Sequence, residues 1–275
     1  MCGIVGYFGK RKAAEILVDG LRRMEYRGYD SAGIATLVDG GIDRRRAEGK
    51  LCNLLAEIEA APLSGTIGIG HTRWATHGGV TRENAHPHMD AQGRIAVVHN
   101  GIISNYRQLR ERLQNSGVVF LSDTDTEVIA HLLGEYLDKN EDDMETAFVS
   151  ALGELEGTFS LAIISTKASG QIYCAKRESP LIIGLGDDAN YIGSDFNAFI
   201  EFTRQAVIMD DGEFAVGLEV LEEVAADVVG GEAAAGNVEA GDVRRGDRHQ
   251  PHLHFVGGLQ LLLHFGHQLL ARHSS

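Results

Sequence analysis

A cysteine stands immediately after the initiator methionine and is followed by Gly3 and an apolar run, Ile4-Val5-Gly6-Tyr7-Phe8. Once Met1 is removed, Cys2 owns both a thiol and the free α-amine. An α-amine titrates at about 7.7–8.0, so roughly a tenth to a fifth is unprotonated at pH 7, whereas a lysine near 10.4 is almost wholly charged. One residue then supplies nucleophile and base, and a thiol needs less help than a hydroxyl because it is intrinsically more nucleophilic. On position alone, Cys2 reads more readily as a small buried strand residue. The motifs further along give it chemical company.

Gly70-His71-Thr72-Arg73-Trp74-Ala75-Thr76-His77-Gly78 joins a planar cation, hydroxyls and glycine hinges. Arg73 could grip a carboxylate through two parallel hydrogen bonds, which lysine would not reproduce. Asn84-Ala85-His86-Pro87-His88 follows, and His99-Asn100-Gly101 closes the next apolar run. An Asn amide beside a Gly N–H at a strand end suits an oxyanion hole, the element usually worth most in acyl transfer. The same dipeptide also makes ordinary turns. Asp125 either favours a helix N-terminus electrostatically or presents a carboxylate to a substrate ammonium.

These residues need a frame. Residues 2–8 are β-prone, and Ala13, Ile16, Leu17, Leu21 and Met24 fall at helical spacing, predicting strand, turn and amphipathic helix. Gly33 to Val38 predicts a second strand. Ile67 to Gly70 and Ile95 to Val98 have strand length, and residues 71–94 between them read mostly as loop. Long irregular loops are uncommon in compact domains and tend to be functional. Tyr106, Leu109 and Leu113 mark a helix closed by Gly117, and Thr124-Asp125-Thr126-Glu127 fits a capping box that opens another. Met144 to Leu155 predicts one more helix. From Phe159 to about Met209 the pattern changes to short β-rich pieces: Phe159–Ser165, Gln171–Ala175, Leu181–Leu185, Tyr191–Gly193 and Ala206–Met209. The sum is an α+β chain rich in sheet.

Composition narrows the function. With 275 residues, 44% hydrophobic and 23% charged, the chain has the make-up of an ordinary globular protein of one large domain or two small ones. Its 39 Asp and Glu against 25 Lys and Arg give a formal charge of −14, which argues against nucleic acid as a partner. Cys2, Cys52 and Cys174 are too far apart for a metal pair and odd in number, which favours a reducing compartment. No basic region precedes the first apolar stretch, and no run approaches the roughly 18 apolar residues of a membrane span. A cytoplasmic protein without membrane contact is expected. Phosphate-loop, complete dinucleotide-binding, zincin and nucleophile-elbow motifs are missing.

Cys2-Gly3-Ile4-Val5-Gly6, Arg27-Gly28-Tyr29-Asp30-Ser31-Ala32-Gly33, the Gly70–Gly78 and Asn84–His88 segments, His99-Asn100-Gly101 and Ser122 to Val128 together resemble the glutaminase domain of the glutamine–fructose-6-phosphate aminotransferases. The likeness continues through Arg177, Ser179 to Gly186, Ser194-Asp195 and Thr203-Arg204. Tyr29-Asp30-Ser31 and the intact His71–His77 segment favour this family over the related amidophosphoribosyltransferases and asparagine synthetases. The resemblance implies a four-layer αββα sandwich of two antiparallel sheets, of the N-terminal-nucleophile hydrolase type. It further implies attack by Cys2 on the side-chain amide of L-glutamine, a glutamyl thioester and release of ammonia. By the family pattern Asn100 and Gly101 form the oxyanion hole, Arg73 holds the α-carboxylate and Asp125 the α-amino group. Thr76, His77 and Arg27 line or support the pocket, His86 lies close to it, and Trp74 sits on the loop that controls ammonia passage. No cofactor and no metal are implied. Fructose 6-phosphate would be a partner only of a full-length enzyme, and homo-oligomers are compatible with the family.

The resemblance assigns residues 2–225 to the glutaminase domain and leaves residues 226–275, too few for the sugar-isomerase lobes that follow it in the family, since a typical domain needs about 100. This tail turns rich in Ala, Gly and Val, then in histidine: His249, His252, His254, His264, His267 and His273 make six of the twelve. Such a shift suits a truncated or frameshifted chain, and the tail is assigned no function. Synthase activity is therefore not expected of this chain alone. Two rival readings stay open: a metal-dependent hydrolase built on His71, His77, His86, His88 and His99, and a non-catalytic glutamine-binding subunit that depends on a partner. A third keeps the enzyme and moves the base to His77 or His71.

Overall fold

The structure is a computed structural model describing residues 2–217, 254–256 and 259–262. In chain order the elements are β1 (Gly3–Gly9), α1 (Ala13–Arg23), β2 (Ser31–Val38), β3 (Gly41–Glu48), α2 (Leu51–Ala60), β4 (Ile67–Arg73), β5 (His88–Met89) and β6 (Ile95–Ile103). There follow α3 (Tyr106–Asn115), α4 (Thr126–Lys139), α5 (Met144–Glu154), β7 (Gly157–Ser165), β8 (Ile172–Arg177), β9 (Ile182–Leu185), β10 (Ala189–Gly193), β11 (Gln205–Ile208) and β12 (Phe214–Gly217). Two short strands in the tail, β13 (His254–Val256) and β14 (Leu259–Leu262), complete the described chain.

Two seven-stranded sheets result, ordered β11-β9-β10-β1-β4-β2-β3 and β13-β14-β12-β8-β7-β6-β5. All their pairings are antiparallel. The period-two alternation of β1 explains the layering. Ile4 turns toward the second sheet and joins Val98, Ala162, Cys174 and Ile183, while Val5 and Tyr7 turn outward onto Ile16, Leu17 and Leu21 of α1. On the far side, Phe159, Leu161 and Ile163 of β7 pack under Val128, Leu132, Ala147 and Phe148 of α4 and α5. This is the expected αββα sandwich. Each such fully buried aliphatic or aromatic side chain contributes roughly 1.5–3 kcal/mol.

The expected helices and most strands are present, with instructive differences. Residues 71–73 continue β4, and β6 runs on through His99-Asn100-Gly101 to Ile103, because the chemical residues sit on strand ends rather than beyond them. The capping box forms only in part. Thr124 Oγ1 does accept from the Glu127 N–H at 3.4 Å, but the Glu127 carboxylate turns to Leu121 and Ser122 instead of back to Thr124. β3 and α2 have no counterpart in the sequence reading. The expected domain boundary at 225–226 and, apart from the backbone of β13 and β14, the atypical tail lie outside the described residues.

Candidate active site

Cys2 stands one residue before β1, on the same side of the chain as Ile4, so its thiol faces the cleft between the sheets. The Trp74 N–H donates to Cys2 Sγ at 3.1 Å. Burial pushes the thiol's pKa up, and the Trp74 N–H, the amino-terminal charge and Arg73 only partly counter it. The sulfur is thus held protonated at neutral pH, and attack requires a base. The Cys2 carbonyl is gripped from two sides, by Arg27 Nη1 and by Asn100 Nδ2, each at 3.4 Å. Arg27 also donates to Ser194 Oγ at 3.3 Å and pairs with Asp195 at 3.3 Å, tying residue 2 to the end of β10.

Asn100 and Gly101 come from β6, in register with Ser160 and Phe159 of β7. Gly101 has φ +127°, and a Cβ there would lie 2.1 Å from the Thr158 carbonyl oxygen, so only glycine fits. Asn100 Oδ1 is 2.9 Å from His71 Nε2. This dipeptide is a strand-end fixture rather than a turn.

Arg73 ends β4 and is almost fully buried. Its guanidinium donates to the carbonyls of Gly79 at 3.1 Å, Gly78 at 3.4 Å and His77, which curls the following loop around it. These three bonds occupy Nη1 and Nη2 of a guanidinium that carries five N–H donors. Burial draws its pKa down, against the pull of Asp30, Cys2 and Asp125. Asp30 lies 3.8 Å from Arg73 Nη1 and accepts the Ala75 N–H, holding the turn that carries Trp74. Trp74 is exposed.

Asp125 is buried, and its Oδ2 accepts the Ile103 N–H at 2.9 Å, locking the start of α4 to the end of β6. Two residues on, the buried Glu127 carboxylate accepts from Leu121 N at 2.8 Å, Ser122 N at 2.7 Å and Ser122 Oγ at 2.6 Å. Burial pushes the Glu127 pKa up, but His131 and these donors outweigh it and hold the value down at about 2. The loop so fixed donates the Asp123 N–H to Asn84 Oδ1 at 2.9 Å.

His71, His86, His88 and His99 are all buried. The His71 and His86 rings stack at 4.1 Å, and His88 meets His86 edge-on at 4.8 Å. Burial holds all four pKa values down, that of His71 to about 3. Stacked rings do not converge on a point, and among the described residues no group of three or more His, Cys, Asp or Glu is disposed to hold a metal ion.

One cavity of about 330 Å³ gathers every candidate: Cys2, Arg27, Arg73, Trp74, Thr76, His77, His86, Asn100, Gly101 and Asp125. It adds His71, His99, Thr158, Ser179 and Ser194. Unforeseen were Arg44 and Arg46 of β3, which donate to the carbonyls of Pro87 and of Glu83 and Ala85 and pin the segment carrying His86. Their inward alternation with Ile42 was the available signal.

A family model described as a glutamine amidotransferase domain matches residues 71–201. Glutamine–fructose-6-phosphate aminotransferases (isomerizing) of Pyrococcus horikoshii and Mycobacterium tuberculosis are 50% and 52% identical over 216 and 222 residues. Those matches cover 78% of this chain but only 36% and 35% of the relatives, so the chain spans about a third of their length. Among solved structures, the glutamine phosphoribosylpyrophosphate amidotransferase from B. subtilis superposes with TM-score 0.67 at 28% identity, over 78% of this chain and 47% of that one. Fold, cavity and kinship agree: the chain carries a glutamine amidotransferase domain, homologous to the glutaminase part of the glutamine–fructose-6-phosphate aminotransferases.

Proposed function

We propose that this domain hydrolyses L-glutamine to L-glutamate and ammonia through a glutamyl thioester on Cys2. The supporting observation is that the Cys2 thiol, the Asn100–Gly101 pair, Arg73 and Asp125 line the same cavity of about 330 Å³. In this reading Arg73 binds the α-carboxylate and Asp125 the α-ammonium, which aims the side-chain amide at Sγ. The sulfur attacks the amide carbon as its proton passes to the α-amine freed by removal of Met1. Asn100 Nδ2 and the Gly101 N–H receive the negative charge that develops on the amide oxygen. The tetrahedral adduct collapses by breaking the C–N bond, the protonated leaving nitrogen departs as ammonia, and water then hydrolyses the thioester to release glutamate.

The base is the amine rather than His71, whose Nε2 is engaged by Asn100 and whose pKa near 3 makes it a poor acceptor. Thr76, His77 and Arg27 support the pocket, His86 backs it, and Trp74 guards its mouth. In a chain of the relatives' full length, fructose 6-phosphate would receive the ammonia. We place the activity in the cytoplasm. Among the described residues no helix is long and apolar enough to cross a membrane.

The test is glutamate release by the purified chain, with Met1 removal verified by mass. Cys2→Ser should lower turnover on the order of 10³-fold or more, and a retained Met1 should have a comparable effect. Cys52→Ser should leave it unchanged, because Cys52 is exposed and bonds only its neighbour Asn53. Glutamine binding without glutamate production would instead identify a non-catalytic, partner-dependent glutamine-binding subunit.

A further inference from the structure

The oxyanion hole of the proposed reaction depends on which way the Asn100 amide points, since only its nitrogen can stabilise negative charge. Two contacts bear on that orientation. Asn100 Nδ2 donates to the Cys2 carbonyl oxygen at 3.4 Å, and Oδ1 lies 2.9 Å from His71 Nε2. An amide oxygen only accepts, so the ring nitrogen opposite it must carry the proton. Turning the amide over would set two carbonyl oxygens, those of Asn100 and Cys2, against each other.

The imidazole is itself constrained. His71 lies on β4 with Ile4 and Gly33 as its register partners, and it is 0% exposed. Its face is covered by the His86 ring at 4.1 Å, and His86 is held in turn by the His99 N–H, which donates to His86 Nδ1 at 3.4 Å. The His99 carbonyl also lies near the His71 ring, yet His71 Nδ1 forms no hydrogen bond with it of good geometry. The Asn100 bond is therefore the one that selects the proton's place. A Cβ at Gly33 would sit 2.1 Å from the His86 carbonyl oxygen, so the segment carrying His86 has no room to withdraw toward β2.

We propose that His71 is the positioning residue of the oxyanion hole: a neutral imidazole protonated on Nε2 locks the Asn100 side chain with its nitrogen toward the reacting centre. This rests on the glutaminase reading. His71 acts through Asn100, the side chain it hydrogen-bonds. Burial keeps the ring uncharged across the neutral range, so the lock does not loosen as pH changes near 7.

Two substitutions separate this role from plain core packing. In His71→Gln the amide nitrogen reaches about where Nε2 sits, whereas in His71→Asn it reaches only the Nδ1 position. Both remove the ring that stacks on His86, so both should lower the thermal midpoint. In the full chain with Met1 removed, His71→Asn should lose kcat on the order of 10²-fold, the size of a lost oxyanion donor, with KM for glutamine changed less than about threefold. His71→Gln should recover to within about tenfold of the parent. Long-range ¹H–¹⁵N spectra of the parent chain at pH 7 should show His71 as the neutral Nε2–H tautomer. Equal losses in the two variants, a loss carried by KM, or a proton on Nδ1 would overturn the assignment. A parent chain that releases no glutamate would instead defeat the glutaminase reading, so the two failures are told apart.

Discussion

The floor and the rim of the cavity are built by opposite means. The floor comprises Cys2, His71, His86 and Asn100, set on or beside strands of both sheets and joined by side-chain contacts that cross between them. The rim is the Trp74–Val80 loop, mostly exposed, whose chief internal anchor is one guanidinium reaching three carbonyls. The groups proposed to make and break bonds thus occupy an over-determined frame, while the loop proposed to admit the ligand hangs from Arg73 and Asp30. Chemistry needs positions held within fractions of an ångström, whereas entry needs a segment that can give.

The sharpest attempt to break this contrast is Gly101→Ala on the floor. The new methyl would strike the Thr158 carbonyl, so kcat should fall on the order of 10²–10³-fold along with a lowered thermal midpoint. Retention of turnover would mean that the floor is as compliant as the rim. Arg73→Lys tests the rim: an ammonium cannot both hold the loop carbonyls and offer further donors. There KM for glutamine should rise on the order of tenfold, with the thermal midpoint little altered.

The smallest effect on activity belongs to Glu127→Gln, which sharpens the contrast by addressing the scaffold beneath Asp125. The Glu127 pKa of about 2 lies below that of an unfolded glutamate, so its contribution is fully present above about pH 4.5 and is lost as pH falls through about 2. By linkage this depressed pKa stabilises the fold at neutral pH. Chemical denaturation at pH 7 should show the variant less stable, and the gap should close as the pH is lowered from 5 toward 2. A gap that persisted at the acid end would assign the cost to packing rather than charge.

The layers and the site were legible in the sequence to different depths. Apolar spacing located α1, α3, α4, α5 and most strands, and the short motifs named the residues that the cavity collects. β3 was not foreseen because three consecutive arginines break its apolar pattern, yet Arg44 and Arg46 donate to carbonyls of the 83–87 segment. α2 was readable, since Leu51, Leu54, Leu55 and Ile58 fall at helical spacing and pack in its core cluster. The histidines were not. Sequence lists them as candidate ligands, and only packing reveals stacked, uncharged rings that position an amide.

The central place of β1 carries a consequence for how the molecule is made. β1 is flanked by β4 and β10, with Val5 opposite Gly193, and the Ile4 N–H is capped by Ser194 Oγ at 3.0 Å. Its second neighbour is thus synthesised almost two hundred residues later, and pairings of such long range form slowly. The nascent Cys2 thiol must wait, half-housed, until nearly the whole domain has been translated, so a pause or lesion anywhere before residue 193 yields a chain with its sulfur present and its seat unfinished.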